Sequence, residues 1–193
     1  MRLESLMDFN WYNEPLNVSF EQKNVKIIAA PQTDFWQSLH HKIKKDNAHF
    51  FYKTLKENFT LTVKWCFENA ENFNQCGVML RIDERNWFKA SIMSKNKNAP
   101  EIGSCLTIGA YSDWAGAPLA KMPDEIYFKT ERKGDDFVCF YSLDGKKYIR
   151  LRQFYLRGIE PDIKAGAYIA APQNLPYEAV LDEIDIKQKA YTK

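Results

Sequence analysis

Hydrophobic and polar positions alternate with a period of two along three consecutive segments between residues 75 and 109. In Gln75-Cys76-Gly77-Val78-Met79-Leu80-Arg81-Ile82, Val78, Leu80 and Ile82 fall on one side, and Gly77, Met79 and Arg81 on the other. In the next segment Phe88, Ala90 and Ile92 alternate with Trp87, Lys89 and Ser91. In the third, Ile102, Ser104, Leu106 and Ile108 share a side, while Gly103, Cys105, Thr107 and Gly109 take the other. Such alternation sends each set to its own face of a sheet. One face can form a core. The other carries glycines, a Trp, an Arg and a Lys, the residue types of a surface that binds something.

For Arg81 and Trp87 to share a face as cross-strand neighbours, the loop between them must hold an odd number of residues. Residues 82–86 supply five, a permitted hairpin length. This register predicts that Met79 faces Lys89 and that Gly77 faces Ser91.

Strand-like segments also cover residues 25–30, 48–55, 59–68, 126–133, 136–143, 148–154, 163–171 and 178–186, and Phe59, Leu61, Val63, Trp65 and Phe67 line one face of theirs. Asp144-Gly145 reads as a two-residue type I′ turn, and Lys133-Gly134-Asp135 as a second tight turn. No stretch keeps a 3.6-residue period, and no repeat or low-complexity tract interrupts the pattern. Strands at short, regular spacing predict an all-β, two-sheet antiparallel sandwich. Its core is expected to include Phe59, Leu61, Val63, Val78, Leu80, Phe88, Ile92, Leu106 and Ile108. The two long connections, 68–74 and 111–124, are where function is expected to concentrate.

Length and charge narrow the classes. At 193 residues the chain is expected to be one domain, 1–193, able to bury a core without staples. A net charge of +2 from 27 basic and 25 acidic residues gives no footprint for nucleic acid or an anionic membrane. The longest apolar run falls well short of the roughly 20 residues that span a bilayer. Glu4 and Asp8 interrupt the start, so no signal peptide is expected and the cytosol is the expected home. Cys66, Cys76, Cys105 and Cys139 lack metal-ligand spacing and read as reduced, half-buried hydrophobes. His40, His41 and His49 read as solvated loop or edge histidines, and no cofactor or metal is expected.

An ordered set of motifs adds a family. Asp34-Phe35-Trp36, Asn74-Gln75-Cys76-Gly77, Asn86-Trp87-Phe88-Lys89-Ala90, Gly103-Ser104-Cys105-Leu106-Thr107, Ser112-Asp113-Trp114, Tyr141-Ser142, Asp144-Gly145 and Arg152 follow one another along nearly the whole chain. The chain thereby resembles the domain-of-unknown-function family 1349, which includes proteins named for regulation of enolase. The resemblance implies a concanavalin A-like lectin/glucanase jelly roll with one concave sheet, and no settled activity. Two positions depart from the family pattern: Asn74 stands where Asp is usual, and Met93 where Glu is frequent. Any inherited acid/base chemistry therefore loses support.

On the concave face the expected chemistry is sugar binding. Sugar rings stack C–H patches on aromatic faces, and their hydroxyls take hydrogen bonds from polar side chains. Trp87 and Trp114 are the candidate platforms; Gln75, Arg81, Lys89, Thr107 and Asp113 are the candidate polar contacts. Arg81 and Lys89 would bias the cleft positively, which admits acidic or phosphorylated sugars alongside neutral ones. Asp182-Glu183-Ile184-Asp185 resembles the catalytic strand of family 16 glycoside hydrolases, but Lys187 stands where that chemistry needs its second Glu. Three functions are weighed: a non-catalytic intracellular carbohydrate-binding protein, a regulatory partner of a metabolic enzyme, and a glycan-active hydrolase using Asp113, Glu84 or another cleft carboxylate.

Overall fold

The computed structural model describes residues 6–37, 43–68, 72–96, 99–156 and 162–189. In chain order the strands are β1 (Asn10–Tyr12), β2 (Asn17–Phe20), β3 (Val25–Ala29), β4 (Phe35–Gln37), β5 (Lys44–Asp46), β6 (His49–Leu55), β7 (Asn58–Cys66), β8 (Gln75–Arg81) and β9 (Trp87–Ser94). They continue as β10 (Pro100–Ile108), β11 (Tyr111–Ser112), β12 (Ala115–Pro118), β13 (Glu125–Lys133), β14 (Asp136–Ser142), β15 (Ile149–Tyr155), β16 (Ile163–Ala170) and β17 (Tyr177–Lys189). Two antiparallel sheets form the jelly-roll sandwich. The first runs β1-β6-β16-β8-β9-β10-β11, with β12 also on β10; the second runs β15-β14-β13-β7-β17-β3-β2. Strands β4 and β5 pair with each other as a separate hairpin. Among the described residues no helix is long and apolar enough to cross a membrane.

The alternation places the core as expected for most of the chain. Phe59, Leu61, Val63 and Trp65 enter it from β7, and Val78, Leu80, Phe88 and Ile92 from β8 and β9. Burying each such side chain contributes about 1.5–3 kcal/mol. Phe88 stacks on Phe154 of the opposite sheet, ring centroids 3.9 Å apart. The β8–β9 register is the predicted one: Arg81 faces Trp87, Met79 faces Lys89 and Gly77 faces Ser91. Gly77 is demanded twice over. A Cβ there would strike the Ala90 carbonyl oxygen, and its own carbonyl accepts the Trp65 indole N–H across the sandwich at 2.9 Å.

Other expectations are corrected. Ile108 is 50% exposed rather than core, because β10 ends there in a two-residue turn, Gly109-Ala110. Both turn residues have positive φ, 61° and 72°, as type I′ requires. Asp144-Gly145 is not such a turn. It sits in a longer loop between β14 and β15, where the Asp144 carboxylate accepts the N–H groups of Lys146 and Lys147 at 2.8 Å. Lys133-Gly134-Asp135 does close a tight hairpin between β13 and β14.

His49 is 2% exposed: its Nε2 accepts the Ala30 N–H at 3.0 Å, so Nδ1 carries the proton donated to the Asn13 carbonyl at 2.9 Å. His40 and His41 lie outside the described residues. Cys76, Cys105 and Cys139 are buried free thiols, and Cys66 is a half-buried one.

The largest difference concerns the outer face of the first sheet. Every residue of β8 is buried, although alternation promises only one buried face. A second apolar cluster of Phe35, Phe50, Met79, Trp87, Cys105 and Tyr168 lies on that outer face, and the β4–β5 hairpin covers it by setting Phe35 into it.

Candidate functional site

Six of the seven predicted site residues do share the outer face of the first sheet, but the hairpin divides them. Arg81 is 2% exposed, and both terminal nitrogens reach Asp46 of β5 at 2.8 Å. Its guanidinium also lies over the Tyr12 ring, 4.3 Å from the centroid. Trp87 has no exposed surface; it packs beside Phe35, ring centroids 6.2 Å apart, and offers no free face for stacking. Thr107 is equally buried and hydrogen-bonds Ser112 at 2.6 Å, whose hydroxyl in turn takes the Gln37 N–H of β4 at 2.9 Å. These three hold the hairpin down.

Asp113 does not join them. Its carboxylate accepts both terminal nitrogens of Arg152, at 3.0 and 2.8 Å, from the edge strand of the other sheet. Burial works against its ionised form, but Arg152 and the Leu106 N–H outweigh that and hold it below the ordinary carboxylate value. Asp113 ties the edges of the two sheets. Glu183 and its neighbours lie on β17 in the second sheet, where Asp182 pairs with Lys64 at 2.8 Å, away from the outer face of the first.

Gln75, Lys89 and Trp114 do come together, in a cleft of about 330 Å³ that the hairpin leaves open. Asp34, Trp36, Phe73, Met93 and Pro172 also line it. The half-buried Trp114 ring lies directly over Gly103, where a Cβ would collide with it. Its indole N–H donates to Glu101, which fixes the plane of the ring. Phe73 is placed by an unusual backbone. It and Asn72 both have positive φ, 62° and 56°, a conformation costing a non-glycine residue about 1–2 kcal/mol, and the Phe73 N–H is anchored on the Ser94 carbonyl at 2.8 Å.

The floor is a short polar chain. Lys89 Nζ donates to Asp34 Oδ1 at 2.7 Å and to Gln75 Oε1 at 3.1 Å. Tyr168, whose phenol burial pushes well above its ordinary value, stays neutral and donates to the same Gln75 oxygen at 3.0 Å. With its carbonyl taken by two donors, Gln75 is left with an amide NH2 that has no partner among the described residues. Asp34 Oδ1 also accepts the Phe35 N–H at 2.8 Å, while Oδ2 has no partner among the described residues. The cleft thus offers one donor and one acceptor beneath aromatic walls. The expected positive bias is absent, because Arg81 and Lys89 are each matched by an aspartate.

Trp36, Asp34 and Phe73 were not among the sequence candidates for the site. Asp34-Phe35-Trp36 did stand out as a motif, but three residues are too few for periodicity to assign a face. Met93, one of the two departures from the family pattern, also lines the cleft. A wider hollow, about 640 Å³, lies elsewhere, at the end of the second sheet by Cys66, Asp124 and Tyr177. Among the described residues no group of His, Cys, Asp and Glu could hold a metal ion.

The strand order and this capped outer face define an all-β protein of the two-sheet antiparallel jelly-roll class. Residues 11–189 match the family described as "Protein of unknown function (DUF1349)", and the chain belongs to that family. It is 33% identical over 107 residues to "Regulation of enolase protein 1" of Saccharomyces cerevisiae, a stretch covering 55% of this chain and 53%, about half, of that relative. A functionally unknown protein of known structure from S. cerevisiae is similar with a TM-score of 0.87 at 22% identity, covering 95% of this chain and 98% of that one. The glycoside hydrolase family 43 protein BlXynB of Bacillus licheniformis follows at a TM-score of 0.73 and 12% identity, over 94% of this chain but 37% of its own. At such identities these structures speak to the fold.

Proposed function

We propose that the protein binds neutral carbohydrate without catalysing a reaction, through the cleft between Trp36 and Trp114. One observation carries this reading: two half-exposed indoles stand over a floor with an unpartnered Gln75 amide donor and an Asp34 oxygen acceptor. A sugar ring presents apolar C–H patches for the first and adjacent hydroxyls for the second. The volume, about 330 Å³, lies at the small end of ligand pockets and suits a single ring. Each aromatic platform contributes about 0.5–1.5 kcal/mol beyond area, so binding is weak per unit. Asp34 is the one carboxylate lining the cleft among the described residues, and Lys89 holds it, which disfavours the two-carboxylate chemistry of glycoside hydrolysis. The buried thiols suit a reducing, intracellular setting. A glycan array probed with the wild-type protein and with Trp114→Ala tests the reading. Neutral glycans should be retained by the first and lost by the second.

A second reading, regulatory contact with a metabolic enzyme, is favoured by the name of the relative that shares 33% identity over 107 residues. Sedimentation of the purified protein with enolase distinguishes it: a complex that forms without any glycan supports this reading.

A further inference from the structure

We propose that the cleft is one subsite of a longer groove that accepts a neutral oligosaccharide, whose next unit lies between residues 72–74 and 173–175; this rests on the carbohydrate reading above. Phe73 is the shared wall. On its far side lies a depression of about 430 Å³ bordered by Asn72, Asn74, Lys95, Gln173 and Asn174. Four of these five are amides, side chains that both donate and accept and so match hydroxyls without imposing a charge. Asn72, Asn74 and Leu175 border in turn the 640 Å³ hollow at the end of the second sheet. The three spaces therefore follow one another around the rim of the sandwich, from the outer face of one sheet to the other.

The strained backbone at Asn72 and Phe73 makes sense in this setting. It holds a half-buried phenyl ring as the ridge over which a chain would pass, and conformational strain of this kind concentrates where binding needs it. The charge pattern selects the occupant. Lys95 is the single charged side chain bordering the middle depression, whereas Glu68 and Asp124 border the hollow beyond, with Glu178 there already paired to Lys26 at 2.8 Å, so an anionic chain would run into like charge. An extended peptide is disfavoured for another reason. The groove passes the ends of β8, β9 and β16, which are internal strands paired on both sides and present no free edge for strand addition.

Titration calorimetry with cello- and xylo-oligosaccharides of one to six units tests this, using the wild type and the double variant Lys95→Ala/Asn174→Ala. Both substituted side chains are exposed, so the melting temperature should hold. In the wild type, affinity should rise about tenfold from one unit to three. The variant should lose that gain and keep the single-unit affinity. A flat wild-type series with measurable single-unit binding overturns the groove and leaves the single-ring site standing. Absence of binding by every member overturns both. Tighter binding of oligouronates, or of an unstructured peptide library, overturns the neutral sugar as occupant.

Discussion

Lys89 Nζ sits 2.7 Å from Asp34 Oδ1, joining a side chain that is 1% exposed to one that is 20% exposed. This pair fastens the start of the β4–β5 hairpin to the centre of the first sheet, much as Arg81 and Asp46 fasten its end. Removing one partner of a buried pair leaves an uncompensated charge. Asp34→Asn should therefore destabilise the fold by about 3 kcal/mol in urea melts, and adding Lys89→Met should recover most of the loss. Equal stability of wild type and Asp34→Asn would show that the ammonium is solvated and the hairpin held by packing alone.

Gly77 and Trp65 support a second prediction. Gly77→Ala forces a methyl group into the Ala90 carbonyl oxygen, a backbone atom with no rotamer to yield, so a loss of about 3 kcal/mol is expected. Trp65→Phe leaves the Gly77 carbonyl buried without its 2.9 Å donor, which costs about 1–3 kcal/mol. Chemical denaturation of the two variants checks both figures. A neutral Gly77→Ala would mean that β8 and β9 are more loosely paired than described.

How much of this could be read from the chain follows from the lengths of its elements. The β8–β9 register and the inward set of Leu80 and Phe88 were legible, because seven and eight residues are enough for a two-residue period to declare itself. Phe35-Trp36-Gln37 is too short for that, so the hairpin that covers Arg81, Trp87 and Thr107 went unseen, and these residues read as an open surface. Ile108 kept the alternation but lies at the last position before the turn, where no facing sheet remains to bury it. Asp113 read as a cleft residue because its partner, Arg152, stands nearly forty positions away. Gln75, Lys89 and Trp114, expected on one face, do line one cleft. Trp36 and Phe73 were not legible, since the first depends on the hairpin and the second on a left-handed backbone that sequence does not announce for phenylalanine.

His49 predicts a pH dependence. Burial pushes its imidazole below the ordinary 6.5, and both ring nitrogens are engaged in the neutral form. Well above pH 6.5 this group binds almost no proton in either state and adds almost no slope. As pH falls through 6.5 the unfolded chain takes up a proton that the folded one refuses. Stability should then drop, by at most about 1.4 kcal/mol per pH unit from this residue. The difference between urea midpoints at pH 7.5 and 5.5 should shrink in His49→Gln. An unchanged difference would assign the acid sensitivity to other groups.

The account turns on which tryptophans meet the ligand, and the chain has five, Trp11, Trp36, Trp65, Trp87 and Trp114, each with one indole N–H. Two-dimensional proton–nitrogen spectra, recorded while a neutral glycan chosen from the array is titrated in, report on all of them at once. The Trp36 and Trp114 signals should move in a saturable way, with those of the buried Trp65 and Trp87 in place. Saturable shifts at Trp11 with Trp36 and Trp114 unmoved, or no shift at any indole, would contradict the cleft as the binding site.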